Sequence, residues 1–154
     1  MPIRAALAKA TAVIAVVGAA CVLTPEAQAA ANPYTPEGVC GSGYHVVDSR
    51  TLTHQNGSTG GKVYLLYNNS NGYNCAVTIK GVAVGTATDT GLDLLVFSSG
   101  DNFTHHENNG DFKYYAGPVR VSAAGKCVEV IGYTFSTTSN TSYAATIPKG
   151  HCGR

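Results

Sequence analysis

The chain has 154 residues, with ten Lys and Arg against nine Asp and Glu, and five His. A near-neutral balance with no run of like charges excludes the clustered cations that binding to nucleic acid or an anionic membrane surface requires. Eighteen Gly, abundant Ser, Thr and Asn, and a single Met make this a composition of strands and turns.

The amino end reads as a secretory leader. Met1 to Ala10 carries Arg4 and Lys9, Thr11 to Leu23 is apolar, and Ala27-Gln28-Ala29 supplies a small-x-small exit. Cleavage after Ala29 divides the chain into a signal peptide, residues 1–29, and a single domain, residues 30–154. The apolar stretch is shorter than the roughly 18 to 20 residues that span a bilayer, so no membrane span is expected. Cys21 follows Gly18-Ala19-Ala20, but Gly18 stands where a lipoprotein cleavage site takes a larger aliphatic residue. Cys21 is therefore expected to leave with the leader rather than carry a lipid. Loss of Arg4, Lys9 and Glu26 leaves eight cations and eight anions, a net charge of zero with His neutral.

Beyond the leader, Ala30 to Gly38 holds Pro33 and Pro36 without periodicity and reads as an extended arm. Tyr44 to Ser49 is a short strand, and Thr51 to Gly61 a polar, glycine-rich loop. Lys62 to Asn68 and Asn74 to Lys80 flank Asn71-Gly72, the signature of a hairpin. Within the second run Cys75, Val77 and Ile79 share one face, and Ala76, Thr78 and Lys80 the other. Leu92 to Phe97 is continuous enough to be buried on both faces. Asp101 to Asp111 is polar and acidic and reads as a loop. Strands are expected at Phe112 to Tyr115, Val119 to Ser122, Lys126 to Tyr133 and Tyr143 to Ile147, with a hydroxyl-rich turn at Ser136 to Ser142. Six to eight short strands without an amphipathic helix predict an all-β fold, a small sandwich or barrel of antiparallel strands.

Four cysteines remain after the leader: Cys40, Cys75, Cys127 and Cys152. In an exported chain they are expected to form disulfides, and of the three possible pairings Cys40–Cys75 and Cys127–Cys152 join sequence neighbours. Closing a loop the size of the second is worth roughly 3.5 kcal/mol in the chain-entropy treatment. Zinc-finger spacing is absent, since no two cysteines stand close enough for a Cys-x-x-Cys pair.

Candidate chemistry is sparse. His105, His106 and Glu107 sit in the densest run of ligand atoms and could contribute to a divalent metal site. Adjacent imidazoles diverge on a strand, however, and neither a calcium-loop nor a His-Glu-x-x-His spacing is present. A solvated loop with no metal or cofactor is the expectation there. No Gly-x-Ser-x-Gly elbow accompanies His45, His54 or His151, and carboxylate pairs drawn from Asp89, Asp93, Glu107 and Glu129 have no distinguishing spacing. No catalytic residue is assigned. Tyr67, Tyr73, Tyr114 and Tyr115 are the possible ligand-binding residues, as stacking surfaces for a sugar, although strand tyrosines also fill core edges with the hydroxyl in water. The sequons at Asn56, Asn68, Asn102 and Asn140 are ordinary in an Asn-rich chain.

Several segments, read in order, resemble the spore-associated protein A family, small secreted proteins of filamentous spore-forming bacteria. They are Val39-Cys40-Gly41-Ser42-Gly43-Tyr44, Val63-Tyr64-Leu65-Leu66-Tyr67-Asn68, Asn71-Gly72-Tyr73-Asn74-Cys75-Ala76-Val77-Thr78, Tyr114-Tyr115-Ala116-Gly117-Pro118-Val119, Gly125-Lys126-Cys127-Val128 and His151-Cys152-Gly153. The stretch from Asp89 to Asp111 departs from the family pattern, and the tail between Gly132 and Gly150 is longer. The resemblance implies a secreted, non-enzymatic protein of the cell or spore surface with a structural, adhesive or coating role. Its partners would be cell-wall or spore-surface polysaccharide or other surface proteins. A lectin-like carbohydrate-binding module is the alternative, and a secreted protease inhibitor the third reading.

Overall fold

A computed structural model describes residues 30–138 and 141–153. The leader read over residues 1–29, with Cys21, lies outside the described residues. A five-residue helix, α1 (Pro36–Cys40), is followed by eight strands: β1 (Tyr44–Thr53), β2 (Thr59–Asn68), β3 (Tyr73–Lys80), β4 (Thr88–Ser99), β5 (Asn102–Phe112), β6 (Tyr115–Ser122), β7 (Cys127–Phe135) and β8 (Ser142–Gly150). All pair antiparallel in one sheet of order β5-β4-β7-β8-β1-β2-β3-β6, which curls into a nearly closed barrel. The all-β expectation holds, in its barrel form.

The β2–β3 hairpin forms where the sequence placed it. Asn68 pairs with Tyr73, and the Gly72 amide donates to the Asn68 carbonyl at 2.9 Å. Gly72 takes the positive φ, 73°, that a side chain would resist. The run from Asp101 to Asp111, read as a loop, is instead most of β5, a strand paired with β4 from Thr88↔Phe112 to Ser99↔Asn102. Its polarity misleads because β5 is a terminal strand of the sheet and nearly all of its residues meet solvent. Likewise the Thr51–Gly61 loop shrinks to residues 54–58, since β1 and β2 extend into it.

Burial also differs from expectation. The strand covered on both faces is β3, not the segment within β4, where Asp93, Leu95 and Phe97 remain partly exposed. Cys75, Val77 and Ile79 do share a face, the outer one, packed with Cys40 and Leu66. The cover is α1 and the arm before it. Thr35 caps the helix, its Oγ1 accepting from the Gly38 amide at 3.1 Å, and Pro36 begins the first turn. The expected extended arm therefore ends in a helical turn. Arg120 holds that turn down, donating through Nε and Nη2 to the Cys40 carbonyl at 3.0 and 2.8 Å and to the Val39 carbonyl at 3.1 Å.

Ala76, Thr78 and Lys80 turn inward. With eight strands the interior is filled by side chains, here Leu52, Val63, Leu65, Leu92, Leu94, Val128, Val130 and Ile147 among others. Lys80 is 1 % exposed, and its ammonium donates to the Thr86 carbonyl (2.8 Å), the Thr88 hydroxyl (2.6 Å) and the Phe112 carbonyl (2.8 Å). Three protons meet three acceptors, which is how a charge survives in that position. Burial lowers the Lys80 pKa, and the Asp111 carboxylate counters in part.

The two disulfides are Cys40–Cys75 and Cys127–Cys152, the favoured pairing. The first pins α1 to β3; the second ties the tail after β8 to the start of β7. In β7 the even positions from Val128 to Thr134 are buried and Cys127, Glu129 and Ile131 face outward, as their alternation predicts.

Gly132 lies where β7 approaches β2 and β3 across the interior. A Cβ there would stand 2.5 Å from Val63 Cβ and 2.7 Å from Thr78 Oγ1. Gly132→Ala should therefore destabilise by about 1 to 3 kcal/mol through overpacking, read as a lower midpoint in urea or thermal unfolding.

Register pairing between β1 and β8 is confined to Thr53↔Ala144, and side chains reinforce that join. His54 Nδ1 lies 2.9 Å from the Ser142 carbonyl oxygen, and His151 Nε2 lies 3.0 Å from Asp48 Oδ2. Burial raises the Asp48 pKa, but the hydrogen bonds from His151 and the Ser49 amide and the contact with Arg50 outweigh it. The carboxyl consequently titrates below its ordinary value. A carboxyl with a depressed folded pKa adds stability above the unfolded value and loses it as pH falls through the folded one. The thermal midpoint should thus fall on acidification below about pH 5. Asp48→Asn should lower the stability at pH 6 by about 1 kcal/mol, read as a lower thermal midpoint, and flatten the acid decline of that midpoint.

Candidate functional site

The four tyrosines singled out in the sequence do not form one platform. Tyr73 opens β3 and is 40 % exposed, and Tyr67 sits beside it at the hairpin end, its ring 6.4 Å from that of His45. Tyr115 pairs with Ile79 at the other end of β3. Six residues of strand separate the two ends, about 20 Å, too far for one sugar ring to bridge.

Tyr114 and Tyr115 acquire a partner that sequence reasoning missed. Tyr34, in the arm, is 44 % exposed and packs its ring 5.3 Å from Tyr114 and 4.9 Å from Tyr115, at interplanar angles of 55° and 65°. The arm is seated there by Asn32, whose Nδ2 donates to the Tyr114 carbonyl at 2.7 Å and the Lys80 carbonyl at 3.0 Å. Tyr34, Phe112, Lys113, Tyr114, Tyr115 and Gly117 line an open cleft of about 320 Å³. That volume is at the small end of ordinary ligand sites. Its walls are aromatic faces and one cation, a surface suited to stacking rather than proton transfer. An aromatic residue two positions after Asn32, in an arm of no periodicity, carried no signal of this role.

Elsewhere on the barrel, β4 and β5 bring together a second group of polar side chains. Asp93 pairs in register with Glu107, and His105, two residues earlier on β5, projects from the same face. His105 Nε2 lies 3.0 Å from Asp93 Oδ1 and 3.9 Å from Glu107 Oε2. Asn109 Nδ2 donates to Glu107 Oε2 at 3.1 Å and reaches Asp93 Oδ1 at 3.4 Å. Of the sequence candidates, His105 and Glu107 meet, and His106 does not join them. It is in register with the inward-facing Leu94, on the opposite face of the strand. Asp93 enters instead, from the neighbouring strand, a neighbour that the loop reading could not supply. Further along the same face Tyr133 Oη donates to Asp89 Oδ1 at 3.2 Å. Burial, then Asp89, with Asp93 and Glu107 adding to it, push the Tyr133 phenol up to about 12.

Glu129, weighed for carboxylate chemistry, lies apart and accepts from the Lys149 amide at 3.3 Å. His45, His54 and His151 are likewise dispersed, and the last two act at the β1–β8 join. No helix among the described residues is long and apolar enough to cross a membrane.

No family model matches the chain, and no solved structure matches it. Spore-associated protein A of Streptomyces coelicolor (strain ATCC BAA-471 / A3(2) / M145) is 45 % identical over 121 residues, which cover 77 % of this chain and 73 % of that protein. That identity runs over most of both sequences. The chain belongs to the spore-associated protein A family.

Proposed function

We propose that this protein is exported and resides at the spore or hyphal surface, where it acts as a non-catalytic structural or coating component. The observation that carries the reading is the 45 % identity to a protein named for its association with spores. Two disulfides in a chain of near-neutral charge support it, because such bonds persist outside the reducing cytosol. A barrel filled by its own side chains suits durability on an exposed surface.

Fractionating a sporulating culture into medium, hyphal wall and spore surface, then immunoblotting, tests this. The protein is expected in the spore or wall fraction with an amino terminus at Ala30 and no thiol open to alkylation before reduction. Recovery from the cytosol with the leader intact would overturn the proposal.

The aromatic cleft favours one further reading, a weak affinity for surface polysaccharide. Tyr34, exposed and canted against Tyr114 and Tyr115, offers a sugar an apolar ring face beside the Lys113 ammonium. Retention on chitin or peptidoglycan beads should drop roughly tenfold in Tyr34→Ala, about 1.4 kcal/mol, while Tyr73→Ala at the other end of β3 leaves it unchanged. Equal retention of wild type and Tyr34→Ala would remove the cleft from consideration.

A further inference from the structure

We infer that Asp93, His105 and Glu107 form a three-ligand site for a divalent transition ion of the zinc type, on the outer face of β4 and β5. One imidazole nitrogen and two carboxylate oxygens lie within 4.8 Å of one another. Zinc bound tetrahedrally at about 2.0 to 2.2 Å needs donors roughly 3.3 to 3.6 Å apart. The separations of 3.0 Å between Asp93 Oδ1 and His105 Nε2 and 3.9 Å between His105 Nε2 and Glu107 Oε2 bracket that requirement. Since all three atoms lie within 4.8 Å of one another, side-chain rotation alone would have to bring them onto one centre.

The strand register explains why these atoms are held ready. His105 and Glu107 are alternate residues of one strand, so they project together, and Asp93 stands directly across from Glu107. Like charges placed opposite each other in an antiparallel pair repel. Among the described residues neither carboxylate forms an ion pair with a Lys or Arg, and His105 is the one titratable base in contact with both. Asp89 and the Tyr133 hydroxyl extend the same face. A divalent ion would relieve the repulsion, and Asn109, which already bridges both carboxylates, would orient them from the second layer.

Ligand chemistry selects the ion. Calcium takes six to eight oxygens, and magnesium keeps most of its water; one imidazole with two carboxylates suits zinc, with the fourth position open to solvent. The site needs nothing from the aromatic cleft and stands whether or not the protein coats spores.

The test uses the full, disulfide-bonded chain dialysed against chelator and titrated with zinc chloride, followed by calorimetry and thermal unfolding. Binding should be saturable at one ion per chain, with a midpoint that rises with zinc and responds far less to calcium chloride. His105→Gln, Asp93→Asn and Glu107→Gln should each weaken zinc binding at least tenfold, while His106→Gln binds as the wild type does. Because the three side chains face solvent, each variant should keep the wild-type circular dichroism spectrum and its metal-free midpoint to within a few degrees. Absence of saturable binding up to millimolar zinc, equal loss in His106→Gln and His105→Gln, or tighter binding of calcium than zinc would overturn the inference.

Discussion

A sheet of eight strands has two free edges, and the interior of this protein depends on bringing them together. The terminal strands β5 and β6 meet with few contacts for their length. A side-chain bond spans them, Asn108 Oδ1 accepting from the Gly117 amide at 2.7 Å. Gly117 fits because a Cβ there would stand 2.8 Å from the Ala76 carbonyl and 2.9 Å from Leu92. The β1–β8 join is the second soft line, with a single registered pair between strands from opposite ends of the chain. At both lines polar side chains stand in for backbone pairing. The cost of leaving such groups unpaired makes them specific as well as cohesive.

Inside the barrel, apolar packing and one charge divide the labour. Leu, Val and Ile fill the middle, and Lys80 gathers a carbonyl before β4, a hydroxyl of β4 and a carbonyl at the end of β5. That ammonium ties the stretch that leads into β4 to the end of β5, 32 residues from Lys80, a task an aliphatic side chain of equal length could not do. Outside the barrel a smaller cluster around Cys40 and Cys75 buries the other face of β3, so this strand is the one dry on both sides. The Tyr34 cleft is a by-product of that cover: the arm that leads into α1 must cross the β5–β6 turn, and its aromatic ring lands on Tyr114 and Tyr115.

Much of this architecture could be read from residues alone. Asn71-Gly72 between two alternating runs places the β2–β3 hairpin, and the parity of Cys127, Glu129 and Ile131 orients β7. The failures share a cause. β5 reads as a loop because a strand wet on nearly its whole length has no apolar alternation; Gly100-Asp101, two residues between two long runs, is the available turn signal. Alternation sets Lys80 on one face with Ala76 and Thr78 but does not tell that this face is the interior, because the acceptors that hold the ammonium, drawn from residues 86, 88 and 112, are invisible to periodicity. The contact of Asp93 with His105 and Glu107 required the strand pairing itself. Twelve or more positions separate the partners, and no local pattern encodes that register.

The four cysteines from Cys40 onward bond in the order in which they occur, Cys40 with Cys75 and Cys127 with Cys152, with sequence separations of 35 and 25 residues. Neither loop encloses a thiol of the other. Among these four, oxidation that proceeds from the amino end would thus reach the correct covalent connectivity directly, each new sulfhydryl finding its mate before a competitor among them has emerged. Such an arrangement makes few demands on enzymes that reshuffle mispaired bridges.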